Sequence, residues 1–341
     1  MRAISWNIGK NFKIIDQQLK IVDEEKPDIL ALQEVTSKSY NIINEILRPK
    51  FKHIHFSLDL IADNKLLVGP RKLGVLTASN YKLEMRDLNE FNIPWRERIL
   101  NHNVYTSKKK IRFYNAYIPP GSSNGWIKIE TLEGIFKGLN IRSSDPRILC
   151  GDFNIPQSEN HRHNIITFAQ KMKLKGKPRL KKNFRGGSGK RWDQAERNLF
   201  ENLKPVGMQD SYRKKHSYKT YEYSFAIIRK GKVAAKRRFD HFFTSDDLSV
   251  NQIGYLHSYR EKKLSDHSPI QIDLGNLRVL SGLPTMFEDS KARASKTSPL
   301  SSIIECIDLI LPLLIFESID ETVICAGLIT EFTPSVLING I

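Results

Sequence analysis

Short apolar runs alternate along this 341-residue chain with segments in which apolar residues recur every three or four positions. The runs Ala3–Trp6 and Asp28–Gln33 predict buried strands, and the spacing from Phe12 to Val22 predicts a helix that stops before Pro27. The same patterns predict a helix capped by Ser37, a second helix over Trp126–Leu139, and strands at Leu73–Ala78, Ile111–Ile118, Ile148–Gly151, Phe239–Thr244 and Ser268–Leu274. Alternating strands and helices predict α/β layers around buried sheets.

Polar residues lie where several of these apolar strands end. The positions are Glu34, Asp152, Asn154, Asp240 and the pair Asp266-His267. A single acid at a strand end more commonly caps a turn or the next helix. Five such positions in one chain weaken that interpretation, because carboxylates at strand ends in α/β proteins often line the ligand cleft.

The same residues belong to short motifs that carry a family resemblance. In chain order the motifs are Ser5-Trp-Asn7, Leu32-Gln-Glu34, Asn115-Ala-Tyr-Ile-Pro119, Gly151-Asp-Phe-Asn154, Arg238-Phe-Asp240 and Ser265-Asp-His-Ser-Pro269. This order resembles the endonuclease/exonuclease/phosphatase superfamily, which includes exonuclease III, abasic-site endonucleases, deoxyribonuclease I and inositol-phosphate phosphatases.

The resemblance runs from about Met1 to Leu274 and implies a fold. We expect a four-layered α/β sandwich, in which two packed mixed β-sheets are flanked by helices as in deoxyribonuclease I. We assign residues 1–276 to the catalytic domain and residues 277–341 to a C-terminal extension of unknown role.

The resemblance also implies a metal-dependent reaction at phosphate. Attack on a phosphodiester builds negative charge, which a hard divalent cation held by carboxylate and amide oxygens can neutralise. We expect Glu34, Asn7 and Asp266 to bind Mg²⁺, with Mn²⁺ as the other candidate. Asn7 is also expected to contact the substrate.

The catalytic roles are likewise implied by the resemblance. Asp152 would orient and deprotonate the attacking water, and Asn154 would donate to the nucleophile or phosphate. His267 would donate to a non-bridging oxygen while Asp240 fixes its tautomer. Tyr117 would donate to the phosphate or assist the leaving group.

Charge is distributed unevenly along the chain. The net charge of +17 divides into −4 for residues 277–341 and +21 for the rest. Residues 171–192 hold ten Lys or Arg and no acid, with Phe184 and Trp192 between them. This pattern predicts a long basic loop, which is either a solvated segment or a track for a nucleic-acid backbone. The second interpretation assigns substrate binding to Arg179, Lys181, Lys182, Arg185, Lys190 and Arg191.

Two further basic clusters, Arg213–Lys215 and Arg229–Arg238, favour nucleic acid as the partner. The sequence therefore predicts a nuclease that acts on DNA by in-line attack of an activated water. A phosphatase or lipid phosphodiesterase for inositol-phosphate-like or sphingomyelin-like substrates is the alternative, and a nucleic-acid-binding module without hydrolysis is a third. Gly9 stands where abasic-site enzymes of this group carry an acid, which argues against abasic-site specificity.

Cysteine content and hydropathy predict where the protein works. Three cysteines are too few for a disulfide framework, so a reducing compartment is the default. The most apolar stretch, Ile303–Phe316, is interrupted by charged residues and a proline, unlike a membrane-spanning helix. We therefore expect a soluble cytoplasmic monomer without stable membrane insertion.

Overall fold

Two six-stranded mixed β-sheets form the centre of the computed structural model, which describes residues 1–173 and 176–275. The strands are β1 (Arg2–Asn7), β2 (Ile29–Val35), β3 (His53–Phe56), β4 (Gly74–Ser79), β5 (Lys82–Met85), β6 (Ile99–Tyr105), β7 (Lys110–Tyr117), β8 (Arg147–Asp152), β9 (Ser158–Asn160), β10 (Asn164–Ile166), β11 (Gln170–Met172), β12 (Pro178–Leu180), β13 (Asn183–Phe184), β14 (Gly187–Ser188), β15 (Met208–Asp210), β16 (Phe225–Arg229), β17 (Lys232–Arg237), β18 (Asp240–Ser245), β19 (Val250–Tyr255) and β20 (Ile270–Leu274). The helices are α1 (Ile15–Gln18), α2 (Ile21–Glu25), α3 (Ser37–Leu47), α4 (Gly121–Asn124), α5 (Ile127–Leu139), α6 (Gly189–Glu201), α7 (Ser211–Lys215) and α8 (His257–Glu261).

The two large sheets share one pattern of pairing. The first has the order β19-β20-β1-β2-β4-β3 and the second the order β15-β18-β8-β7-β6-β5. In each, one parallel pair lies near the centre, β1 with β2 and β7 with β8, and the other pairs are antiparallel. The carboxyl ends of the parallel strands therefore meet at one edge of each sheet.

Alternation along the strands divides the core into layers. In β8, Ile148 and Cys150 lie in the cluster between the sheets, whereas Leu149 lies in the cluster that contains helices α5 and α6. In β1, Ala3 lies between the sheets and Ile4 lies with the helices on the outer side of the first sheet. Period-two burial of this kind places helices outside both sheets, so the predicted four-layered sandwich is confirmed.

Two local predictions need correction near the N-terminus. The helix predicted over residues 12–22 is divided into a 3₁₀ turn, Phe12–Ile14, and the short helices α1 and α2. Helix α3 is capped by Thr36 rather than by Ser37. The Thr36 side chain accepts from the Ser39 amide while the Ser39 hydroxyl accepts from the Thr36 amide, which forms a capping box.

The predicted basic loop at residues 171–192 is mostly regular structure. Its described part contains the hairpins β11–β12 and β13–β14 and the first turn of α6. Arg185 and Gly186 both have positive φ, as a two-residue hairpin turn requires, and Ser188 caps α6 by accepting from the Arg191 amide. Local turn and cap chemistry has therefore ordered a segment whose charge alone predicted a loop.

The predicted boundary after residue 276 stays a prediction, because residues 277–341 lie outside the described residues. None of the helices in the described part of the chain has the length and apolar character that a membrane crossing requires.

Candidate active site

Four of the predicted residues meet because they lie near the ends of neighbouring parallel strands. Asn7 ends β1 and Asp152 ends β8, with Tyr117 opposite Asp152 in the register of β7. Glu34 lies on β2 at a register irregularity between Gln33 and Val35, and its φ of 61° is positive. An irregularity of this kind redirects a side chain, and here Glu34 lines the cleft at the strand ends.

Glu34 is held from one side by two donors. The Tyr117 hydroxyl donates to Glu34 Oε1 at 2.7 Å, and Asn7 Nδ2 donates to the same oxygen at 3.3 Å. The other carboxylate oxygen accepts no hydrogen bond from the described residues. Glu34 therefore presents one oxygen that remains available for a ligand in the cleft.

Asn7 connects this glutamate to the neighbouring aspartate. Its Nδ2 also donates to Asp152 Oδ2 at 2.9 Å, while its Oδ1 accepts from the Gly9 amide at 2.9 Å. In this orientation Asn7 acts toward the two carboxylates as a donor rather than as an oxygen ligand. Its predicted role in metal binding stays a prediction.

Asp152, Asp240 and His267 form a buried cluster beside this group. Asp240 begins β18 and pairs with Asp152 across the antiparallel ladder. His267 Nδ1 lies 2.8 Å from Asp240 Oδ2, and His267 Nε2 lies 3.9 Å from Asp152 Oδ2. The imidazole therefore lies between two carboxylates, one bonded and one just beyond hydrogen-bond distance.

The segment that carries His267 is fastened to the end of β1. Trp6 Nε1 donates to the His267 carbonyl at 3.0 Å. The Ser265 hydroxyl donates to the Asn7 carbonyl at 2.7 Å and accepts from the His267 amide at 3.1 Å. Residues of two distant motifs thus fix the imidazole relative to the β1 strand end.

The surroundings raise the pKa values of both Asp152 and His267. Burial raises the pKa of Asp152 to about 7; the charge of His267 opposes that shift, and the charge of Asp240 adds to it. Burial alone would lower the pKa of His267, but the carboxylates of Asp240 and Asp152 outweigh it and raise that pKa to about 10. The imidazole is therefore a buried cation at neutral pH.

Asn154 lies beyond Asp152 in a left-handed backbone conformation, with φ of 52°. Its amide donates to Asp152 Oδ1 at 2.9 Å, and its Nδ2 donates to the Ile118 carbonyl at 3.0 Å. Its own carbonyl accepts from Lys128 Nζ at 3.0 Å. Lys128, on α5, was missed by the sequence analysis because its amphipathic helix gave no sign that this lysine is buried.

A cleft of about 480 Å³ opens over these residues. Of the predicted catalytic and metal-binding residues, Glu34, Tyr117, Asp152, Asn154, Asp266 and His267 line it. Asp240 and Asn7 do not line the cleft themselves. Asp240 hydrogen-bonds to His267, and Asn7 hydrogen-bonds to Asp152. The structure thus brings the predicted set together around one cavity, with Asp266 as its exposed member.

The six predicted basic residues are dispersed. Arg185 lines the cleft, whereas the other five are not among its lining residues. Arg191 is engaged elsewhere, since its guanidinium donates twice to Glu133, and Lys181 Nζ donates to the Phe168 carbonyl. The direct binding roles of Arg179, Lys182 and Lys190 stay predictions.

The carboxylates fit a hard divalent cation. Glu34 and Asp266 both reach the cleft, and the available oxygen of Glu34 is the donor type that Mg²⁺ and Mn²⁺ prefer. A second grouping, Asp152, Asp240 and His267, has ligand atoms within 4.8 Å of one another. His267 and Asp240 are bonded to each other there, which favours Glu34 and Asp266 as the ligands.

Comparison with known proteins gives a family match and a set of similar folds. A model described as the endonuclease/exonuclease/phosphatase family matches residues 4–267. An AP endonuclease from Archaeoglobus fulgidus superposes with a TM-score of 0.57 at 18% identity, covering 80% of this chain and 99% of that one. No sequence among the curated proteins matches this chain significantly.

Two further solved structures extend the set. A 3′ phosphatase from Neisseria, bound to a product DNA hairpin, has a TM-score of 0.56 at 17% identity, covering 81% of this chain and 99% of that one. A humanized TDP2 from D. rerio has a TM-score of 0.54 at 12% identity, covering 81% of this chain and 98% of that one. At these identities the likeness shows the fold alone.

Proposed function

Since the chain belongs to the endonuclease/exonuclease/phosphatase family, we propose that it hydrolyses phosphodiester bonds in DNA at the cleft lined by Asp152 and His267. Members of this family are hydrolytic enzymes, typically dependent on a divalent metal. One observation carries the assignment: a buried histidine lies between two buried acids at the wall of the cleft, 2.8 Å from Asp240 and 3.9 Å from Asp152. That arrangement pairs a proton acceptor with a donor for an anionic phosphate.

Asp152 is the general base in this proposal. Burial raises its pKa to about 7, which lies near the pH at which a base is both ionised and able to accept a proton. Asn7 and Asn154 hold both of its oxygens by hydrogen bonds, so its carboxylate is fixed in orientation. Asp152 would take the proton of a water as that water attacks the phosphorus.

His267 stabilises the charge that develops on the phosphate. Asp240 accepts from His267 Nδ1, so the proton on Nε2 is the one directed away from Asp240. A cation fixed in a buried site stabilises an oxyanion without reorganisation during the reaction. Nε2–H would donate to a non-bridging oxygen.

Glu34 and Asp266 would hold the metal ion, with Tyr117 and Asn7 orienting Glu34. A bound Mg²⁺ or Mn²⁺ ion would neutralise charge on the phosphate and leaving group. Tyr117 keeps its proton, because burial and then the charge of Glu34 raise its pKa well above the usual value. Its hydroxyl therefore serves as a donor.

Two observations support DNA as the substrate. Residues 1–276 carry a net charge of +21, and Arg185 extends the basic surface into the cleft itself. The Neisseria relative of this fold is bound to DNA. A phosphatase or lipid phosphodiesterase uses the same chemistry and is therefore tested beside the nuclease.

The experiment compares the wild type with Asp152→Asn on plasmid, linear duplex and single-stranded DNA. With Mg²⁺ we expect cleavage that EDTA stops, and in the variant a fall of roughly 10²–10⁴-fold, the usual contribution of a positioned base. Asp23→Asn is the matched control, because Asp23 is exposed and, among the described residues, pairs only with Lys50. Gel electrophoresis with increasing enzyme gives the rates.

The outcome separates the candidates. If no DNA substrate is cleaved and phosphate is released from inositol phosphates, the protein is a phosphatase rather than a nuclease. Equal rates for Asp152→Asn and the wild type would remove Asp152 from the reaction.

A further inference from the structure

One wall of the cleft is made of aromatic rings. The lining rings are Phe168, Trp192, Phe225 and Phe239. The Phe225 ring lies 5.5 Å from that of Phe239, nearly parallel to it, and 4.7 Å from the His267 imidazole. A flat apolar surface therefore begins directly beside the proposed catalytic histidine.

One guanidinium, that of Arg237, lies over these rings without an acidic partner among the described residues. Arg237 stacks over Phe168 at 4.7 Å and over Phe239 at 5.7 Å, and its buried Nε has no hydrogen-bond partner. Arg237 and Arg229 both line the cleft, and neither side chain donates a hydrogen bond to, or forms an ion pair with, the described residues. Arg185 contacts one backbone oxygen, that of Ser122, at 3.3 Å.

Lys128 shows what a satisfied cation looks like in the same wall. Its ammonium donates to Glu196 Oε1 at 3.0 Å and to the Asn154 carbonyl at 3.0 Å. Glu196 also accepts from Trp192 Nε1 and the Phe168 amide. Lys128 is therefore part of the scaffold, whereas the guanidinium groups of Arg229 and Arg237 retain donors for a ligand.

We propose that this wall binds the base of an unpaired, base-bearing nucleotide next to the reacting phosphate. Phenyl rings and guanidinium planes stack on the faces of bases, and guanidinium donors match the acceptors on base edges. An abasic residue would leave both the rings and the donors without partners. The inference rests on the proposed function and specifies its substrate as unpaired rather than abasic.

The depth of the cleft is the reason that the base must be unpaired. The rings share one cavity with Asp152, which is 1% exposed, so a group that touches the rings enters a concave site. A base within a duplex is stacked and paired, and its faces cannot reach such a wall. A nucleotide in a single strand or at a frayed end presents both faces.

The test measures binding without cleavage. Two single-stranded oligonucleotides of equal length carry the same phosphates, but one bears bases and the other consists of tetrahydrofuran abasic residues. Fluorescence anisotropy in EDTA gives their affinities for the wild type. We expect the base-bearing strand to bind roughly tenfold more tightly, as stacking of a single base supplies.

Variants distinguish base binding by the aromatic wall from nonspecific electrostatic attraction to the phosphates. Arg229→Gln and Arg237→Gln should reduce the preference for bases, and Arg229 is exposed, so its substitution does not threaten folding. Lys236→Gln is the matched control, because it removes the same charge from β17 outside this cleft. The Lys236→Gln substitution should weaken the binding of both strands equally.

Equal binding of the two strands by the wild type would overturn the proposal. A preference for the base-bearing strand as large in both arginine variants as in the wild type would also overturn it. Cleavage of the base-bearing strand is measured separately with Mg²⁺. A protein that binds bases preferentially but cleaves nothing would contradict the proposed function and leave the base-binding wall standing.

Discussion

Two buried histidines connect the two sheets of the sandwich, and their neighbours give them opposite charge states. His267, before β20 of the first sheet, bonds to Asp240 on β18 of the second. His102, on β6 of the second sheet, has Nε2 3.0 Å from Nδ1 of His55 on β3 of the first. Carboxylates raise the pKa of His267 to about 10, whereas burial, and then the charge of His55, lower that of His102 to about 3.

The difference shows that burial alone does not make a histidine functional. A buried imidazole without an acid becomes neutral and fills space between the sheets, as at His102. A buried imidazole with an acid on one nitrogen becomes a fixed cation that can meet an anion at the other nitrogen. In this protein the hydrogen bond to Asp240 is what distinguishes His267 from His102.

Removing the acid should therefore have the largest effect on activity. Asp240→Asn keeps the shape of the side chain but removes the charge that holds the imidazole as a cation. We expect the cleavage rate to fall by about 10²–10⁴-fold, the range for loss of a positioned acid–base group. Initial rates on the best DNA substrate measure it.

Asp210 supplies the control for this substitution. It is buried next to the same strands but bonds to Arg238 rather than to His267. Asp210→Asn should lower stability more than it lowers the rate per folded molecule. Unchanged cleavage in Asp240→Asn would mean that His267 does not act as a cation.

The next effect concerns Arg238, which pairs with Asp210 and Glu159. Arg238 lies two residues before Asp240 and is buried between Glu159 and Asp210, donating to Glu159 at 2.6 and 2.9 Å. Arg238→Met would remove the guanidinium partner of the buried Asp210, while Glu159 would keep its pair with Arg213. We expect the free energy of unfolding to fall by about 3–5 kcal/mol, measured by urea denaturation.

Arg191 provides the matched comparison for Arg238. It also donates twice to one glutamate, Glu133, but half of its side chain is exposed (51%). Arg191→Met should cost no more than about 1 kcal/mol, since solvent screens such pairs. Similar losses in the two variants would show that burial does not make the Arg238 network more important for stability than the exposed pair of Arg191.

The sequence predicted the layers because local patterns determine them. Continuous burial of β1 and β8 was visible as apolar runs, and the Gly151-Asp-Phe-Asn154 motif marked the strand end that holds the acids. Trp6 and Ser265 belonged to motifs whose purpose becomes visible only in the fold, where both fasten the His267 segment.

The remaining features depend on contacts between distant residues. Nothing local in the sequence indicates that Glu34 lies at a strand irregularity or that Lys128 is buried against Glu196. The aromatic wall combines rings from two hairpin regions and helix α6, so its members are scattered in sequence. Charge predicted the arginines of β16 and β17 as a cluster but not the position of Arg237 over Phe168 and Phe239.

The smallest effect should come from the histidine pair without acids. Because the folded-state pKa of His102 lies below its unfolded value of 6.5, protonation favours the unfolded chain. Its contribution to stability is complete above pH 6.5 and is lost as the pH falls toward 3. By pH 5.5 the loss should be about 1.4 kcal/mol, one pKa unit of differential proton binding.

His102→Gln tests this by removing the titrating group while keeping a polar side chain near His55. Urea denaturation between pH 7.5 and 5.5 should show that the variant loses less stability than the wild type on acidification. His161→Gln, at an exposed position, should follow the wild type. Parallel losses in all three proteins would mean that His102 is protonated in the folded state. His102 and His267 would then differ in their positions in the fold but not in their charge.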